Sequence, residues 1–521
     1  MPVSIDFLSG LYNRHSCYAD RLTAEQLEAI LVTTPVEATL REWIKSKKDV
    51  VLTGNPGDGK TFLLRRMSQE IATAKGDQVL DATSEKDYST IVSRWRKARK
   101  AKRPFFLAIN HGPLNRMLQL HAASDPVLGE VERQLHQSVY YGAAVPKSPQ
   151  EVVVLDLNLR SVLTRGIIEA TLDNLLRDQN YVDSPFFSND ENDGARNRRA
   201  LLHPQVRERL VRLLEVAGHT TRHISMRDLQ GFLAYLIFGG ATSVELAKRE
   251  ASLAGRYFNL CFSGEGELFD AVREIFDPVR MTVPEIDEDL WENSGVYDGW
   301  AFGRPSLTPD HFPDAWEQFI AIKRQYFFEH QEGHRLLENS NEDDSVFQEL
   351  VASKADTKDK HLGTVLEAIN RFYCQSLRDQ QDFLRLWSAQ EYDTHTPPVL
   401  VSCYRVERKK FSLDTPQVGP WLRAAVDFKA GHLLLRYQSS TVQIGLKIDR
   451  GLWRALMLAR RGIPLGLRSP QYSQLLQAFM TKLRRVEAQP QQLQHVMILN
   501  VTRDRTSDVT VDRSKARYIV R

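Results

Sequence analysis

Apolar and polar residues alternate along the first third of the chain in a way that is typical of an α/β fold. Strands are predicted where short apolar runs stand between turn residues, at 49–53, 78–82, 104–109 and 152–157. Helices are predicted where apolar residues recur every three or four positions, at 60–74 and 88–101. Strands that alternate with helices indicate a parallel sheet covered on both faces.

Helical periodicity dominates after residue 160. Residues 161–255 are predicted to be almost wholly helical, and helices resume at 312–392 after a proline- and acid-rich connector at 277–305. The C-terminal part mixes both periods. A first pair of strands is predicted there at 432–437 and 442–448. Two helices follow at 452–461 and 471–485, and a second pair of strands follows them at 496–501 and 509–511.

The composition is that of a folded protein that stays in water. Apolar residues make up 42% of the chain and charged residues 26%, which excludes wholesale disorder. The apolar runs fall short of the ~18 residues that span a bilayer, and the first residues lack the pattern of a secretory signal. The four cysteines, at 17, 261, 374 and 403, are too widely spaced for a zinc ribbon. We therefore expect a cytoplasmic protein without a membrane segment.

The net charge of +3 hides a strong asymmetry. Residues 261–360 contain 9 lysines and arginines against 23 aspartates and glutamates, a net charge of −14. Residues 401–521 contain 22 basic and 8 acidic residues, a net charge of +14. Such a tail is expected to bind a polyanion or to dock onto the acidic part of the same molecule.

A glycine-rich turn follows the first strand and opens the first helix of the sheet. Its sequence, Gly54-Asn55-Pro56-Gly57-Asp58-Gly59-Lys60-Thr61, fits the phosphate-loop pattern G-x-x-x-x-G-K-[ST] at every position. Glycines let the backbone curl so that successive N–H groups face phosphate oxygens. Because the lysine of this motif reaches the β- and γ-phosphates and the hydroxyl binds Mg²⁺, Lys60 and Thr61 are predicted to bind Mg-ATP. ATP is preferred to GTP because no convincing Asn/Thr-Lys-x-Asp motif follows.

Hydrolysis by such a protein also needs a carboxylate at the end of a neighbouring strand to hold Mg²⁺. One interpretation gives this role to Asp156, which ends an apolar run of four residues. The other gives the position to Asn110 and His111, about fifty residues after Lys60, as in AAA+ ATPases, with Asn158 positioning water. The second is slightly preferred because it accounts for both strands in sheet order.

The second interpretation has a chemical consequence. An asparagine brings no negative charge to Mg²⁺, whereas His111 has a pKa near neutrality and is suited to act as a general base. Hydrolysis is then expected to be slow or to rely on Asp156. Two arginines are predicted to complete the site. Arg160 faces a nucleotide in the same chain or in a neighbouring copy, and Arg227, at the start of a predicted lid helix, senses the γ-phosphate.

Four motifs in combination suggest a family. They are residues 54–61 with Asp58 before the last glycine, Phe106-Leu-Ala-Ile-Asn-His-Gly-Pro-Leu114, Val154-Leu-Asp-Leu-Asn-Leu-Arg160 and Phe276-Asp-Pro-Val-Arg280. Over roughly residues 45–285, and more faintly at 447–461, the chain resembles the ATPase subunit of DNA phosphorothioation-dependent restriction systems. Related ATPases occur in other bacterial antiphage systems. The resemblance implies a defence ATPase that works with a helicase or nuclease partner on foreign DNA.

The basic tail is expected to contact DNA. Its basic residues fall into three clusters, the first of which has Tyr404 and Phe411 as aromatic neighbours that could stack on unpaired bases: Arg405, Arg408, Lys409 and Lys410; Lys482, Arg484 and Arg485; and Arg513, Lys515, Arg517 and Arg521. Neutralising phosphates with such side chains releases counterions and makes binding dependent on salt. The alternative is that the tail pairs with the acidic segment of the same chain.

Together these features predict five parts. They are an N-terminal helical segment (1–48), a P-loop NTPase core of the AAA+ type (49–160), a helical lid and connector (161–285), an acidic helical region (286–396) and a basic α+β domain (397–521). The expected function is an ATP-dependent switch or motor in DNA-targeted defence, with assembly of several copies as an option. The alternatives are a non-hydrolysing scaffold and a regulator of transposition or replication.

Overall fold

A computed structural model describes residues 3–13, 22–82, 85, 87–142, 144–182, 192–219, 222–248, 252–292, 299–303, 312–338, 342–352, 355–375, 377, 380–390, 399–438, 444–463, 470–487, 495–500, 505–512 and 517–520. The chain divides into two compact units. The first comprises Met1–Tyr140, Ala144–Ser340 and Val418–Lys429. The second comprises Tyr141–Ala143, Asn341–Gln417 and Ala430–Arg521. The boundaries placed at residues 285 and 396 from the sequence thus lie inside these units.

The first unit contains a four-stranded parallel sheet in the order β2-β3-β1-β5. In chain order the strands of this part are β1 (Asp49–Thr53), β2 (Asp77–Val79), β3 (Phe105–Ala108), the short β4 (Val139–Tyr140) and β5 (Val152–Asp156). Val51 is in register with Leu107 on one side and with Val154 on the other. Every residue of β1, β3 and β5 is buried, as expected for strands covered on both faces. The predicted α/β fold with a parallel sheet is confirmed.

Helices cover both faces of this sheet. The helices up to this point are α1 (Ile5–Ser9), α2 (Ala24–Ala29), α3 (Pro35–Lys45), α4 (Lys60–Arg66), α5 (Ser68–Thr73), α6 (Tyr88–Lys100), α7 (His111–His121) and α8 (Pro126–Gln137). On one face, α3, α4 and α5 pack against Val50 and Leu52. On the other face, α6, α7 and α8 pack against Val51. The helix predicted at 60–74 is divided in two at Met67.

The rest of the first unit is helical, as predicted for residues 161–255. Its helices are α9 (Arg165–Leu176), α10 (Asp193–Leu202), α11 (Pro204–Ala217), α12 (Met226–Phe238), α13 (Ser243–Lys248), α14 (Tyr257–Ser263), α15 (Glu267–Ile275), α16 (Pro284–Glu292), α17 (Phe312–Glu329) and α18 (His334–Glu338). The stretch Met226–Lys248 has the length and composition of a membrane span, but 56% of its most apolar window is buried in the protein. Leu233 and Ile237 lie in the common apolar core of these helices, and a core helix of a soluble protein has the same properties.

One short segment of the predicted C-terminal domain belongs to the first unit. In Val418–Lys429, the indole Nε1 of Trp421 donates to the carbonyl oxygen of Val154 at 3.2 Å, and Leu422 packs in the core beneath β1 and β5. The backbone N–H of Lys429 donates to Ser161 Oγ at 3.0 Å, and the backbone N–H of Ser161 donates to the carbonyl oxygen of Asp427 at 3.2 Å. The segment therefore supports β5 and the turn that follows it.

The second unit is mixed. Its elements are α19 (Glu342–Ala352), α20 (Ala355–Tyr373), β6 (Phe383–Gln390), β7 (Val399–Glu407), β8 (Phe411–Asp414), β9 (Gln417–Val418, which ends in the first unit), β10 (His432–Tyr437), β11 (Ile444–Asp449), α21 (Arg450–Arg460), α22 (Pro470–Glu487), β12 (His495–Asn500), β13 (Arg505–Asp512) and β14 (Arg517–Val520). They form a three-stranded sheet, β11-β10-β8, and a five-stranded sheet, β14-β13-β12-β7-β6. The predicted pairs β10–β11 and β12–β13 are confirmed as antiparallel.

The helical prediction for 312–392 is wrong at its C-terminal end, because Phe383–Gln390 is a strand that pairs with β7. Leu384 and Leu386 are buried, but so is the intervening Arg385, and a bulge between Leu386 and Trp387 then shifts the register. A strand buried on both faces lacks the alternation of apolar and polar residues. Its apolar positions therefore do not distinguish it from a short helix.

Acidic and basic residues pair extensively within the second unit. The buried Asp344 accepts hydrogen bonds from Arg450 Nε at 2.9 Å and from Arg454 Nε at 2.7 Å. Further pairs join Asp343 to Arg461, Glu367 to Arg460 and Glu487 to Lys410. Because Asp343, Asp344 and Glu367 belong to the predicted acidic region and their arginine partners to the basic tail, part of the charge asymmetry is neutralised inside this unit.

The Asp344 pair generates a stability prediction. Burial raises the pKa of Asp344, but Arg454 and Arg450 more than offset this and hold it below its ordinary value. Replacing Asp344 by Asn leaves two arginines without their carboxylate, which we expect to cost about 3 kcal/mol. The measurement is the temperature of unfolding of the full chain by calorimetry. The control is Asp343→Asn, whose partner Arg461 is half exposed and whose loss costs ~1 kcal/mol or less. Equal unfolding temperatures of the two variants would contradict the prediction.

Candidate functional site

The glycine loop (residues 54–61) joins β1 to α4. Gly54, Gly57 and Gly59 have φ angles of 144°, 97° and 87°. These values lie in the region that side chains disfavour, so the glycines are required by the path of the backbone. A backbone that curls in this way forms a concave surface of N–H groups that suits an anion.

Lys60 is held at the mouth of this loop. Its ammonium donates to the carbonyl oxygens of Asn55 at 2.7 Å and Gly54 at 3.2 Å, and only 7% of the residue is exposed. Burial lowers the pKa of Lys60, and the carboxylates of Asp58, Asp81 and Asp156 act in the opposite direction. The chain thus holds a desolvated cation beside the loop through hydrogen bonds that the cation donates to backbone carbonyl oxygens.

The turn after β5 supports the loop from one side. Asn158 Oδ1 accepts the backbone N–H of Asn55 at 3.0 Å. Arg160 donates from Nη2 to the carbonyl oxygen of Asp58 at 2.7 Å. Burial lowers the pKa of Arg160, whose Nε has no hydrogen-bond partner within the described part of the chain. Asn158, which was predicted to position water, and Arg160, which was predicted to face the nucleotide, therefore contact the glycine loop directly.

The end of β3 supports the loop from the other side. The backbone N–H of His111 donates to the carbonyl oxygen of Gly54 at 3.3 Å, and Asn110 lines the adjacent cavity. His111 Nε2 lies 3.5 Å from Asp156 Oδ2, whose other oxygen accepts the N–H of Asn158 at 3.0 Å. The Asp156 carboxylate, as hydrogen-bond acceptor, raises the pKa of His111. Because β1 lies between β3 and β5, the two alternative sets of hydrolytic residues meet at one place.

The first turn of α12 lies over the loop. A Cβ atom added at Gly57 would lie 3.0 Å from Ser225 Oγ and 3.3 Å from Arg227 Cβ. Ser225 caps α12 and forms a capping box with Asp228. Arg227 lines the same cavity as Lys60, so the predicted lid arginine lies beside the glycine loop.

A cavity of about 210 Å³ opens at the loop. Its polar wall contains residues 58–61, Asn110, Arg160 and Arg227. Its apolar wall comes from the N-terminal segment and α12, with Leu22, Leu27, Ile30, Val32 and Met226. Thr34 also lines it, and the buried Thr34 Oγ1 has no hydrogen-bond partner among the described residues. The cavity thus combines a polar end at the loop with an apolar recess.

Sequence reasoning missed several of these groups. Only helices were predicted in the N-terminal segment. Its contribution to the recess was missed because the apolar residues that line the recess follow no motif. Asp81, just beyond β2, also lines the cavity, and a single aspartate near a short strand gives no signal of its own. His223, whose Nε2 lies 2.8 Å from Asp58 Oδ1, is likewise separated from its partner by 165 positions.

The groups near the glycine loop that could bind a metal ion are separate oxygen atoms of Thr61, Asp81 and Asp156. Within the described ranges, no group of three or more histidine, cysteine, aspartate or glutamate side chains is close enough to hold a metal ion. Thr61 and Asp81 line the cavity, and Asp156 lies at the end of the neighbouring strand. Hydroxyl and carboxylate oxygens of this kind suit Mg²⁺ that keeps most of its water and is also bound by phosphate.

Comparison of the chain with protein-family models, with curated proteins and with solved structures finds no match. The interpretation of the site therefore rests on its own geometry.

Proposed function

We propose that the chain binds the phosphates of a nucleoside triphosphate at the glycine loop. The observation that carries the proposal is the buried Lys60 ammonium at the mouth of a loop with three glycines at positive φ. Thr61, Arg160 and Arg227 line the same cavity and add polar or cationic groups. A concave backbone with several cations is the chemistry that binds a polyphosphate.

The apolar recess supports a nucleobase at the other end of the cavity. Leucine, isoleucine, valine and methionine side chains offer a face for a flat ring, and Thr34 Oγ1 offers a hydrogen bond. Gln230 Nε2 already donates to the carbonyl oxygen of Ile30 at 3.1 Å, so its amide oxygen is the group left to accept. An acceptor at this position suits the exocyclic amine of a purine such as adenine.

Hydrolysis is assigned to side chains at the carboxyl ends of β3 and β5, which flank β1. Mg²⁺, when bound, offsets phosphate charge, and Thr61 with Asp156 or Asp81 would hold it. The Asp156 carboxylate orients the His111 ring and stabilises its protonated form, as expected for a general base that takes a proton from water. Asn110 carries no charge, so the proposed hydrolytic function does not depend on it.

The AAA+-like assignment rests on the lid. The first turn of α12 approaches Gly57 and brings Arg227 to the cavity, so a bound triphosphate would attract the lid toward the glycine loop. This arrangement supports an ATP-dependent switch. The parallel sheet alone is shared by many nucleotide-binding folds.

The biological context is proposed from the family resemblance. It comprises a cytoplasmic bacterial defence system, a helicase or nuclease partner, foreign DNA and assembly of several copies through Arg160. The burial of Arg160 and its hydrogen bond to the carbonyl oxygen of Asp58 in its own glycine loop favour a role within one chain over a role in a neighbouring copy. A non-hydrolysing scaffold and a regulator of transposition or replication stay as alternatives.

Replacement of Lys60 by Ala tests nucleotide binding. Loss of a desolvated, charged donor is expected to weaken Mg-ATP binding about 10- to 100-fold. Isothermal calorimetry of the full chain measures this affinity. Lys97→Ala, an exposed lysine on α6, is the matched control and should bind as the parent does. If the Lys60 variant binds ATP as tightly as the parent, the site assignment is wrong.

Single-turnover phosphate release tests hydrolysis. We expect Asp156→Asn and His111→Ala each to slow it about 100-fold or more, and His111→Ala to leave the ATP affinity little changed. The double variant should be no slower than the more impaired single variant, because the two residues act as a unit. His121→Ala, at the far end of α7, is the control. A parent protein that releases no phosphate, with or without DNA, would favour the scaffold instead.

DNA binding is best tested by charge reversal. Truncation near residue 397 is unsuitable because it would also remove Val418–Lys429, which belongs to the first unit. Lys482 and Arg485 on α22 are exposed, whereas the neighbouring Arg484 donates to the carbonyl oxygen of Trp387. If both exposed residues contact phosphates, replacing them by Glu should make the plot of log binding constant against log salt concentration less steep by about 2. The control reverses Lys45 and Lys248, which are exposed in the first unit. An equal change in both variants would remove the tail from the proposal.

A further inference from the structure

A histidine from the lid contacts a carboxylate inside the glycine loop. His223 Nε2 lies 2.8 Å from Asp58 Oδ1, and Asp58 is 1% exposed. The other oxygen, Asp58 Oδ2, accepts the backbone N–H of Asn55 at 2.6 Å. His223 stands two residues before Ser225, the cap of α12. The side chain of Asp58 therefore links the two ends of the loop to the start of the lid helix.

The position of Asp58 presents an electrostatic problem. A buried carboxylate within a loop that binds phosphate repels its own ligand and is costly to desolvate. The groups that offset its charge are the Lys60 ammonium, the Arg160 guanidinium that donates to its backbone carbonyl, and the imidazole of His223. Of these, only His223 is in hydrogen-bond contact with the carboxylate itself among the described pairs.

The surroundings of His223 favour its charged form. Burial disfavours the imidazolium, but the hydrogen bond and charge of Asp58 more than offset burial, so the pKa of His223 is raised. The charges of Asp228 on α12 and Asp156 on β5 act in the same direction. The cations Lys60 and Arg227 line the cavity that Asp58 also lines.

We propose that His223 is a positioning residue of the nucleotide site, which holds the Asp58 carboxylate and thereby fixes both the glycine loop and the start of the helix that carries Arg227. The proposal rests on the proposed function, because the ligand whose binding depends on this geometry is the triphosphate. His223 itself contacts neither Lys60 nor Thr61 in the described hydrogen bonds.

The contact has a defined pH dependence. A histidine whose pKa is raised in the folded protein contributes fully below its unfolded pKa of about 6.5. This contribution is lost as the pH rises through the raised, folded value. The parent should therefore lose ATP affinity as the pH rises above about 6.5 through that raised value, beyond the loss shown by a variant without a titrating group at this position.

The first experiment measures Mg-ATP affinity of the full chain from pH 6 to pH 9. His223→Ala should bind about tenfold more weakly than the parent at pH 6.5, and the two should converge at high pH. His223→Gln keeps an amide donor and should recover part of the affinity without the pH-dependent component. His136→Ala, an exposed histidine on α8, should follow the parent. Affinities of the two His223 variants within twofold of the parent at every pH would overturn the proposal.

The second experiment needs no nucleotide. Histidine-selective NMR titration of the full chain should give His223, identified by its absence in His223→Gln, a pKa that falls when Asp58 is replaced by Asn. An unchanged titration would also overturn the proposal. The two failures are distinguishable. Absence of ATP binding by the parent contradicts the proposed function, whereas normal ATP binding by folded His223→Ala and His223→Gln contradicts only the role of His223.

Discussion

The central position of β1 in the sheet is the constraint on which the site depends. Because β3 and β5 flank β1, the chain segments that follow all three strands meet at the glycine loop. Asn158 and Arg160 bond to the loop from the β5 side, and His111 bonds to it from the β3 side. The desolvated Lys60 ammonium then has fixed carbonyl partners. Under the proposed function, a polyanion would bind to a loop whose backbone is already held in place by these contacts.

The two compact units use charge in different ways. In the first unit, cations gather at the cavity, where a negatively charged ligand would offset their mutual repulsion. In the second unit, Asp344 and its neighbours already pair with arginines of α21, so those arginines stabilise the fold. The net positive charge of the tail therefore does not identify the residues that contact a partner. Exposed cations outside such pairs are better candidates.

The features that depend on residues close together in the chain were predicted from the sequence. The motif at residues 54–61, the buried strands on either side of it and the capped start of α12 each depend on neighbouring residues, and the sequence located them. Contacts between distant positions left no such signal. His223 and Asp58 are 165 positions apart, and the strand Phe383–Gln390 looked helical because both of its faces are buried. The contribution of Val418–Lys429 to the first unit is a tertiary property for the same reason.

Hydrogen–deuterium exchange of the full chain with and without Mg-ATP tests the central claim most directly, because it reports on the glycine loop and on the lid together. If the triphosphate binds at the loop and draws the lid onto it, amide exchange slows both at residues 55–61 and in the first turn of α12. This protection should disappear when Lys60 is replaced by Ala. Unchanged exchange at residues 55–61 under saturating Mg-ATP would contradict the account, wherever else protection occurred.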